Sequence, residues 1–342
     1  MARYAILAIG SFDYILNKTG NMLIRYQPDD VVAVIDPDKA GRTADDIIGI
    51  GGSLPVVGSF QDALQYQPDT MVIGFAPPGG VINDETRKEI LIAIDEGCDI
   101  ISGMHVFLND DDEISDRAKN NDVLLTDLRR PPNPPHFPKG TWKDRNVPVL
   151  LVVGTDCDSG KMTTAWEITQ RLRIRGKKVN FIGTGQTGIL LGGSGVAVDA
   201  VIADFMAGEL EYVIDRACDG ADLVVVEGQG SINNYAYSGV TMGLIHGCMP
   251  DYFVLTHDPS RPLDVLDHPI PDINDLIQLH LDLMIPFRKT RFLGINLLTF
   301  AIDEQNANNV IIEYEKEFGL ATTDLVRFGD RGLINVIDDV IS

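Results

Sequence analysis

Cations are scarce in this chain: 28 Lys and Arg stand against 50 Asp and Glu, a formal charge of −22 over 342 residues. Nucleic acids and anionic bilayers are held by clustered Lys and Arg, so such a surface repels both, and neither is an expected partner. An anionic small molecule has to be gripped locally, by backbone amides and a few cations, against the overall field. Long apolar runs are missing as well, since none nears the ~20 residues that span a bilayer. The first apolar stretch opens at Tyr4 and stops at Gly10, too short for a secretion signal and without its small-residue cleavage site. Cysteine is sparse, and Cys98, Cys157, Cys218 and Cys248 lie far apart with no C-x-x-C pair. That spacing argues against a disulfide or zinc framework and for a reducing cytoplasm. No G-x-S-x-G elbow occurs, and His246 and His257 lack neighbours at metal-ligand spacing, so each reads as a wall or core histidine.

What is present fits a globular chain of 44% apolar residues, long enough for two hydrophobic cores. Six prolines between Arg129 and Pro148 mark an interruption that neither a helix nor a central strand tolerates. The expected organisation is a domain over 1–128, a connection over 129–148 running extended across the surface, and a second domain over 149–342.

In both halves short apolar runs alternate with helical patterns. The first half offers strands at Tyr4–Ile9, Val31–Ile35, Pro55–Val57, Thr70–Phe75 and Asp99–Ser102, with helices at Phe60–Tyr66 and Asn83–Glu96. The second offers strands at Val147–Val153, Lys178–Gly183, Asp222–Val226, Tyr252–Thr256 and Arg291–Leu298. Its helices are expected at Lys161–Arg175, Ala200–Cys218, Ile273–Met284 and Glu304–Phe318. Such alternation predicts an α/β protein with two parallel sheets, Rossmann-like in the first half and P-loop NTPase-like in the second. Asp36 ends a strand where nucleotide-binding folds often place a ribose-binding acid, but Gly10-Ser11-Phe12 does not continue as G-x-G-x-x-G. The turn Ala76-Pro77-Pro78-Gly79-Gly80 also follows a strand and reads equally as a ligand turn or a plain one.

The strongest signal lies in the second half. Val149–Val153 is a buried strand that runs into Gly154-Thr155-Asp156-Cys157-Asp158-Ser159-Gly160-Lys161-Met162-Thr163-Thr164 and then a helix. Glycines let the loop curl with its N–H groups towards phosphate oxygens, the helix N-terminus adds partial positive charge, and Lys161 neutralises the outer phosphate. Five residues separate the two glycines, where the common form has four. The residue after the lysine is ordinarily Ser or Thr, whose hydroxyl holds Mg²⁺; here it is Met162, which cannot ligate a hard cation. Should Mg²⁺ be used, Glu227 and Thr163 are its expected ligands, with Thr164 the other available hydroxyl.

Leu223–Val226 delivers Glu227 at a strand end, where open α/β sheets place ligands, and Gly228-Gln229-Gly230 follows. Glu227 suits a metal, a proton or a substrate amine. Gly183-Thr184-Gly185-Gln186-Thr187-Gly188 is too glycine-rich for a plain connection and reads as a second substrate loop. Asp204 follows Asp199 by five residues, so on a helix the two point differently, and one can enter a site while the other caps the helix.

The P-loop with Val226-Glu227-Gly228-x-Gly230 resembles the phosphate loop and glutamate–glycine loop of dethiobiotin synthetase. The whole chain is similar to a two-domain family that includes D-glutamate N-acetyltransferase, through Ile101–His105, Gly154–Thr164, Asp199–Gly208 and Val226–Ser231. This second resemblance implies acetyl transfer from acetyl-CoA, the cofactor, to an acidic D-amino acid. Coenzyme A carries a diphosphate that a P-loop can hold without Mg²⁺. Acyl transfer then needs a base, Glu227 or Asp204, and oxyanion donors, from Gly230 N–H or the Gly183–Gly188 segment. The alternatives are an ATP- and Mg²⁺-dependent ligase or kinase of the dethiobiotin synthetase type, or a non-catalytic nucleotide or CoA sensor. A homo-oligomer acting on a small molecule is expected.

Overall fold

The computed structural model describes residues 2–75 and 82–341. The Ala76–Gly80 turn lies outside them. The chain divides into two compact units, Met1–Arg130 and Pro131–Ser342.

The first unit is built on six strands: β1 (Tyr4–Leu7), β2 (Val31–Ile35), β3 (Val56–Val57), β4 (Thr70–Ile73), β5 (Asp99–Ser102) and β6 (Leu125–Asp127). All pair in parallel, in the order β3-β2-β1-β4-β5-β6. This is the Rossmann order, with its switch point between β1 and β4. The helices are α1 (Lys18–Tyr26), α2 (Asp45–Ile48), α3 (Phe60–Ala63), α4 (Asp84–Asp95) and α5 (Asp112–Asn120). Helix α4 starts where the Asn83 side chain accepts the Thr86 N–H, and it buries Ile90, Ala93 and Ile94 against Ile73 and Ile100. Asp36, fully buried at the end of β2, accepts the N–H groups of Gly10, Phe12 and Asp38 and pairs with Lys39. Its carboxylate is thus committed to holding the loop after β1.

The second unit has β7 (Val149–Gly154), β8 (Val179–Ile182), β9 (Leu223–Val226), β10 (Tyr252–His257), β11 (Arg291–Leu297) and β12 (Ala321–Thr323). They form another all-parallel sheet, in the order β12-β11-β10-β7-β9-β8. Every residue of β7 is buried, which is why this central strand reads as one continuous apolar run. The helices are α6 (Lys161–Ile174), α7 (Gln186–Gly192), α8 (Ala203–Ala217), α9 (Ser238–Cys248), α10 (Ile273–Met284), α11 (Glu304–Phe318), α12 (Leu325–Phe328) and α13 (Leu333–Val340). Helix α9 approaches α8 closely: a Cβ on Gly243 would meet Met206 Sδ at 2.3 Å, and one on Gly247 would meet Leu210 Cδ1 at 2.6 Å. Among the described residues no helix is long and apolar enough to cross a membrane. None of the four cysteines forms a disulfide, and burial pushes the Cys248 thiol up to about 12.

From Pro131 onward the proline-rich connection lies at the surface, half-buried or exposed, but it is anchored there: these residues belong to the second unit and dock on α8. Glu209, fully buried, accepts the His136 N–H at 2.6 Å and contacts His136 Nδ1 at 2.8 Å. Glu211 accepts the N–H groups of Lys139, Gly140 and Thr141 at 2.6, 2.8 and 3.2 Å. The His136 ring stacks on Tyr212 at 3.7 Å. Prolines remove local hydrogen bonding, and two buried carboxylates on a helix satisfy the remaining donors instead.

Candidate functional site

The loops that leave β7, β9 and β10 meet at the C-terminal edge of the second sheet, on either side of its switch point. The first is the phosphate loop. Gly160 has φ +83°, a backbone that L side chains rarely adopt, and it turns the chain into α6 at Lys161. Ser159 Oγ donates to the Asp156 carbonyl at 2.8 Å and meets Thr256 Oγ1 of β10 at 2.9 Å. Lys161 is 7% exposed, and its Nζ donates to the Asp156 carbonyl at 2.5 Å and to Ser159 Oγ at 3.3 Å.

Met162 is buried in the first turn of α6. Of the two hydroxyls that follow, Thr164 Oγ1 accepts a hydrogen bond from Asn296 Nδ2 of β11 at 2.9 Å, and Thr163 is half-buried. The position where a P-loop normally offers a hydroxyl to Mg²⁺ is therefore apolar, and Thr164 is turned to the neighbouring strand.

Glu227, 4% exposed, stands one residue beyond β9. Its Oε2 accepts the Thr184 N–H at 2.9 Å and the Gly185 N–H at 3.4 Å, while Oε1 accepts from Gln229 Nε2 at 3.2 Å. Thr184 Oγ1 donates to the Glu227 carbonyl. Next to it, a Cβ on Gly228 would lie 1.9 Å from the Val152 carbonyl oxygen and 3.1 Å from Lys161 Cδ, so only glycine lets this loop pass beside the lysine. Gly230 has φ +60°, and Thr241 Oγ1 donates to the Gln229 carbonyl at 2.8 Å. The glycine-rich stretch after β8 is shorter as a loop than its sequence implied: Gly183–Gly185 is irregular, while Gln186 and Thr187 already belong to α7.

Asp204 is placed apart. It lies exposed in the first turn of α8, which starts at Ala203, and among the described residues no hydrogen bond or ion pair joins it to the P-loop or to Glu227. Neither Asp204 nor Asp199 caps the helix: its N-cap is Ile202, without a side-chain bond.

Sequence reasoning missed the loop after β10. Arg261 Nη1 donates to the Cys157 carbonyl at 3.1 Å, and its Nη2 pairs with the buried Asp156 carboxylate. His257 Nδ1 lies 3.0 Å from Thr155 Oγ1, and its ring stacks on Tyr314 at 5.9 Å. Burial holds the His257 pKa down at about 4, so the P-loop faces a neutral imidazole at pH 7. The available signal was Thr256–Arg261 itself, an arginine soon after the end of an apolar strand in a chain poor in cations.

Comparison with known proteins agrees with this architecture. Residues 136–334 match a family described as "Domain of unknown function (DUF1611_C) P-loop domain", and residues 37–131 match its Rossmann-like N-terminal counterpart. A D-glutamate N-acetyltransferase from Tritonibacter scottomollicae is 37% identical over 84% of this chain and 87% of its own. Another so named, from a Pseudoalteromonas species, is 34% identical over 81% of this chain and 83% of its own. A crystal structure of a DUF1611 family protein from Anabaena variabilis superposes with a TM-score of 0.92 at 35% identity, covering 99% of this chain and 100% of that one. With both domains matched and relatives aligned along most of its length, the chain belongs to the DUF1611 family of two-domain proteins, Rossmann-like at the N-terminus and P-loop at the C-terminus.

Proposed function

We propose that this protein is an N-acetyltransferase that moves the acetyl group of acetyl-CoA to the amine of an acidic amino acid such as D-glutamate. In this reading the P-loop holds the CoA diphosphate, and the enzyme works in the cytoplasm as a homo-oligomer. The activity class is supported by the two relatives that bear this name along more than four-fifths of the chain. The observation that carries the donor assignment is the pairing of a phosphate-loop lysine with a buried methionine where the Mg²⁺ hydroxyl belongs. A diphosphate that is bound but not cleaved needs a cation and amides, which Lys161 and the 154–160 backbone supply, and needs no metal-held leaving group.

The reaction forms a C–N bond and breaks a C–S bond. The acceptor's amine attacks the thioester carbonyl, the CoA thiolate leaves, and the amine's surplus proton passes to a base and on to the thiolate. Glu227 is the proposed base, because it stands at the end of a central strand, one residue before the glycine that passes beside the lysine that would mark the donor. The Gly230 N–H is the proposed donor to the developing oxyanion.

The test is titration calorimetry with acetyl-CoA and with ATP, alongside acetyl transfer to D- and L-glutamate and ATP hydrolysis, each with Mg²⁺ and with EDTA. Acetyl transfer that survives EDTA is the expected result, and Met162→Ser is expected to gain Mg²⁺–ATP affinity. Metal-dependent ATP hydrolysis without acetyl transfer would replace this reading with a ligase or kinase. Tight binding with no turnover on any amine would leave a sensor.

A further inference from the structure

Asp156 sits in the phosphate loop but is ill-suited to hold a phosphate. A carboxylate and a phosphate oxygen are both negative and both acceptors, so Asp156 has no hydrogen bond to give a diphosphate. Its carboxylate is nonetheless fully buried and heavily used. Oδ2 accepts the Val265 N–H at 2.9 Å and the Arg261 guanidinium; Oδ1 accepts from Asn234 Nδ2 at 3.3 Å. The same Asn234 amide, which has two hydrogens, donates to Asp264 Oδ2 at 3.2 Å. Asp264 Oδ1 in turn accepts the N–H groups of Leu266 and His268 at 2.8 and 3.0 Å. One buried carboxylate thus ties together the loops that follow β7, β9 and β10.

The two outer loops carry groups that the P-loop lacks. Tyr235, 72% exposed, meets the His268 ring at 5.3 Å in an edge-to-face arrangement, so the tied loops present a joint surface beside the phosphate loop. If the P-loop takes the donor's diphosphate, the other reactant has to be met by its neighbours at the same sheet edge.

We propose that Asp156 is a positioning residue for the acyl acceptor: it fixes the 231–237 and 258–268 loops against the P-loop without touching the donor's phosphates. The proposal rests on the acyl-transfer reading above. Asp156→Asn keeps an oxygen for the Val265 N–H but removes the charge that holds Arg261. It is expected to leave CoA affinity within about threefold of the parent while raising the acceptor KM by about tenfold or more. Arg261→Lys, which keeps the charge but not the fork, is expected to fall between the two. Independently of turnover, hydrogen exchange in segments 231–237 and 261–268 is expected to quicken by about tenfold in Asp156→Ala, with β7 unchanged. Should Asp156→Ala fail to fold, Asp156→Asn carries the same exchange measurement. A loss of CoA affinity with the acceptor KM unmoved, or unchanged exchange in both segments, would overturn the proposal. If the parent protein acetylates no amine, the acyl-transfer reading falls by itself, and the exchange result alone decides what Asp156 does.

Discussion

Replacing His280 with Leu should change how this protein responds to acid. His280 lies fully buried on α10, with its ring 5.6 Å from Phe253 and 5.9 Å from Phe292. Nδ1 lies 2.7 Å from the Leu276 carbonyl as its donor, and Nε2 has no partner among the described residues. Burial lowers its pKa from 6.5 to about 4. Between those values the unfolded chain binds the proton more readily than the folded one, so stability is complete above about pH 6.5 and declines as pH falls towards 4. At ~1.4 kcal/mol per pH unit the gap is worth ~3 kcal/mol in full, of which ~2 kcal/mol is already lost at pH 5. The assay is urea unfolding of parent and His280→Leu at pH 7.5 and pH 5. His257 and the carboxylates give both proteins their own acid slopes, which cancel in the difference. The advantage of the variant over the parent should grow by ~2 kcal/mol from pH 7.5 to pH 5. Parallel pH dependences would refute the argument, because they would mean that His280 takes up its proton in the folded state as easily as in the unfolded one.

The other predictions concern the P-loop and the docked connection. Lys161→Ala should weaken binding of CoA or nucleotide by ~2 kcal/mol, roughly thirtyfold in calorimetry; unchanged affinity would remove the phosphate-binding assignment. Glu211→Ala should cost ~2 kcal/mol or more, because the N–H groups of Lys139, Gly140 and Thr141 lose their acceptor. Trypsin should then cut at Lys139 and Lys143 well before the parent is cut there, and equal resistance would show that the segment is held by something else.

Strand positions were largely legible because buried parallel strands are short, continuous and apolar. Val31–Ile35 and Asp99–Ser102 fall where their residues place them, whereas the edge strands Leu125–Asp127 and Ala321–Thr323 are too short and polar to stand out. Helix α9 was missed because Gly239, Gly243 and Gly247 lower helix propensity, and a sequence does not reveal that two of them are there for contact with α8. The P-loop and the Glu227 strand end were legible from local pattern alone. The Asp156–Arg261 and Asp156–Asn234 bonds were not, since each joins residues 78 or more positions apart and nothing in the spacing announces it. The docking of the connection was hidden for the same reason. Glu209 and Glu211 look like ordinary charges on a helix until the segment that covers them is seen.

The order of the second sheet also has a consequence for how the chain is made. Its central strand β7 is flanked by β9 and β10, not by its successor β8, and Leu150 pairs with Tyr252 about 100 residues later. At ~5–20 residues per second, β7 waits roughly 5–20 s on the ribosome for its second neighbour. Throughout that interval its run of apolar residues and one row of backbone donors and acceptors stay open. In the first unit the corresponding wait is shorter, since β1 finds β4 within about 70 residues. The nascent chain should therefore pass through a stage in which the first unit is folded and the phosphate-loop strand is still incomplete. At that stage it is most exposed to aggregation and most in need of a chaperone, until Tyr252–His257 emerges to close the sheet.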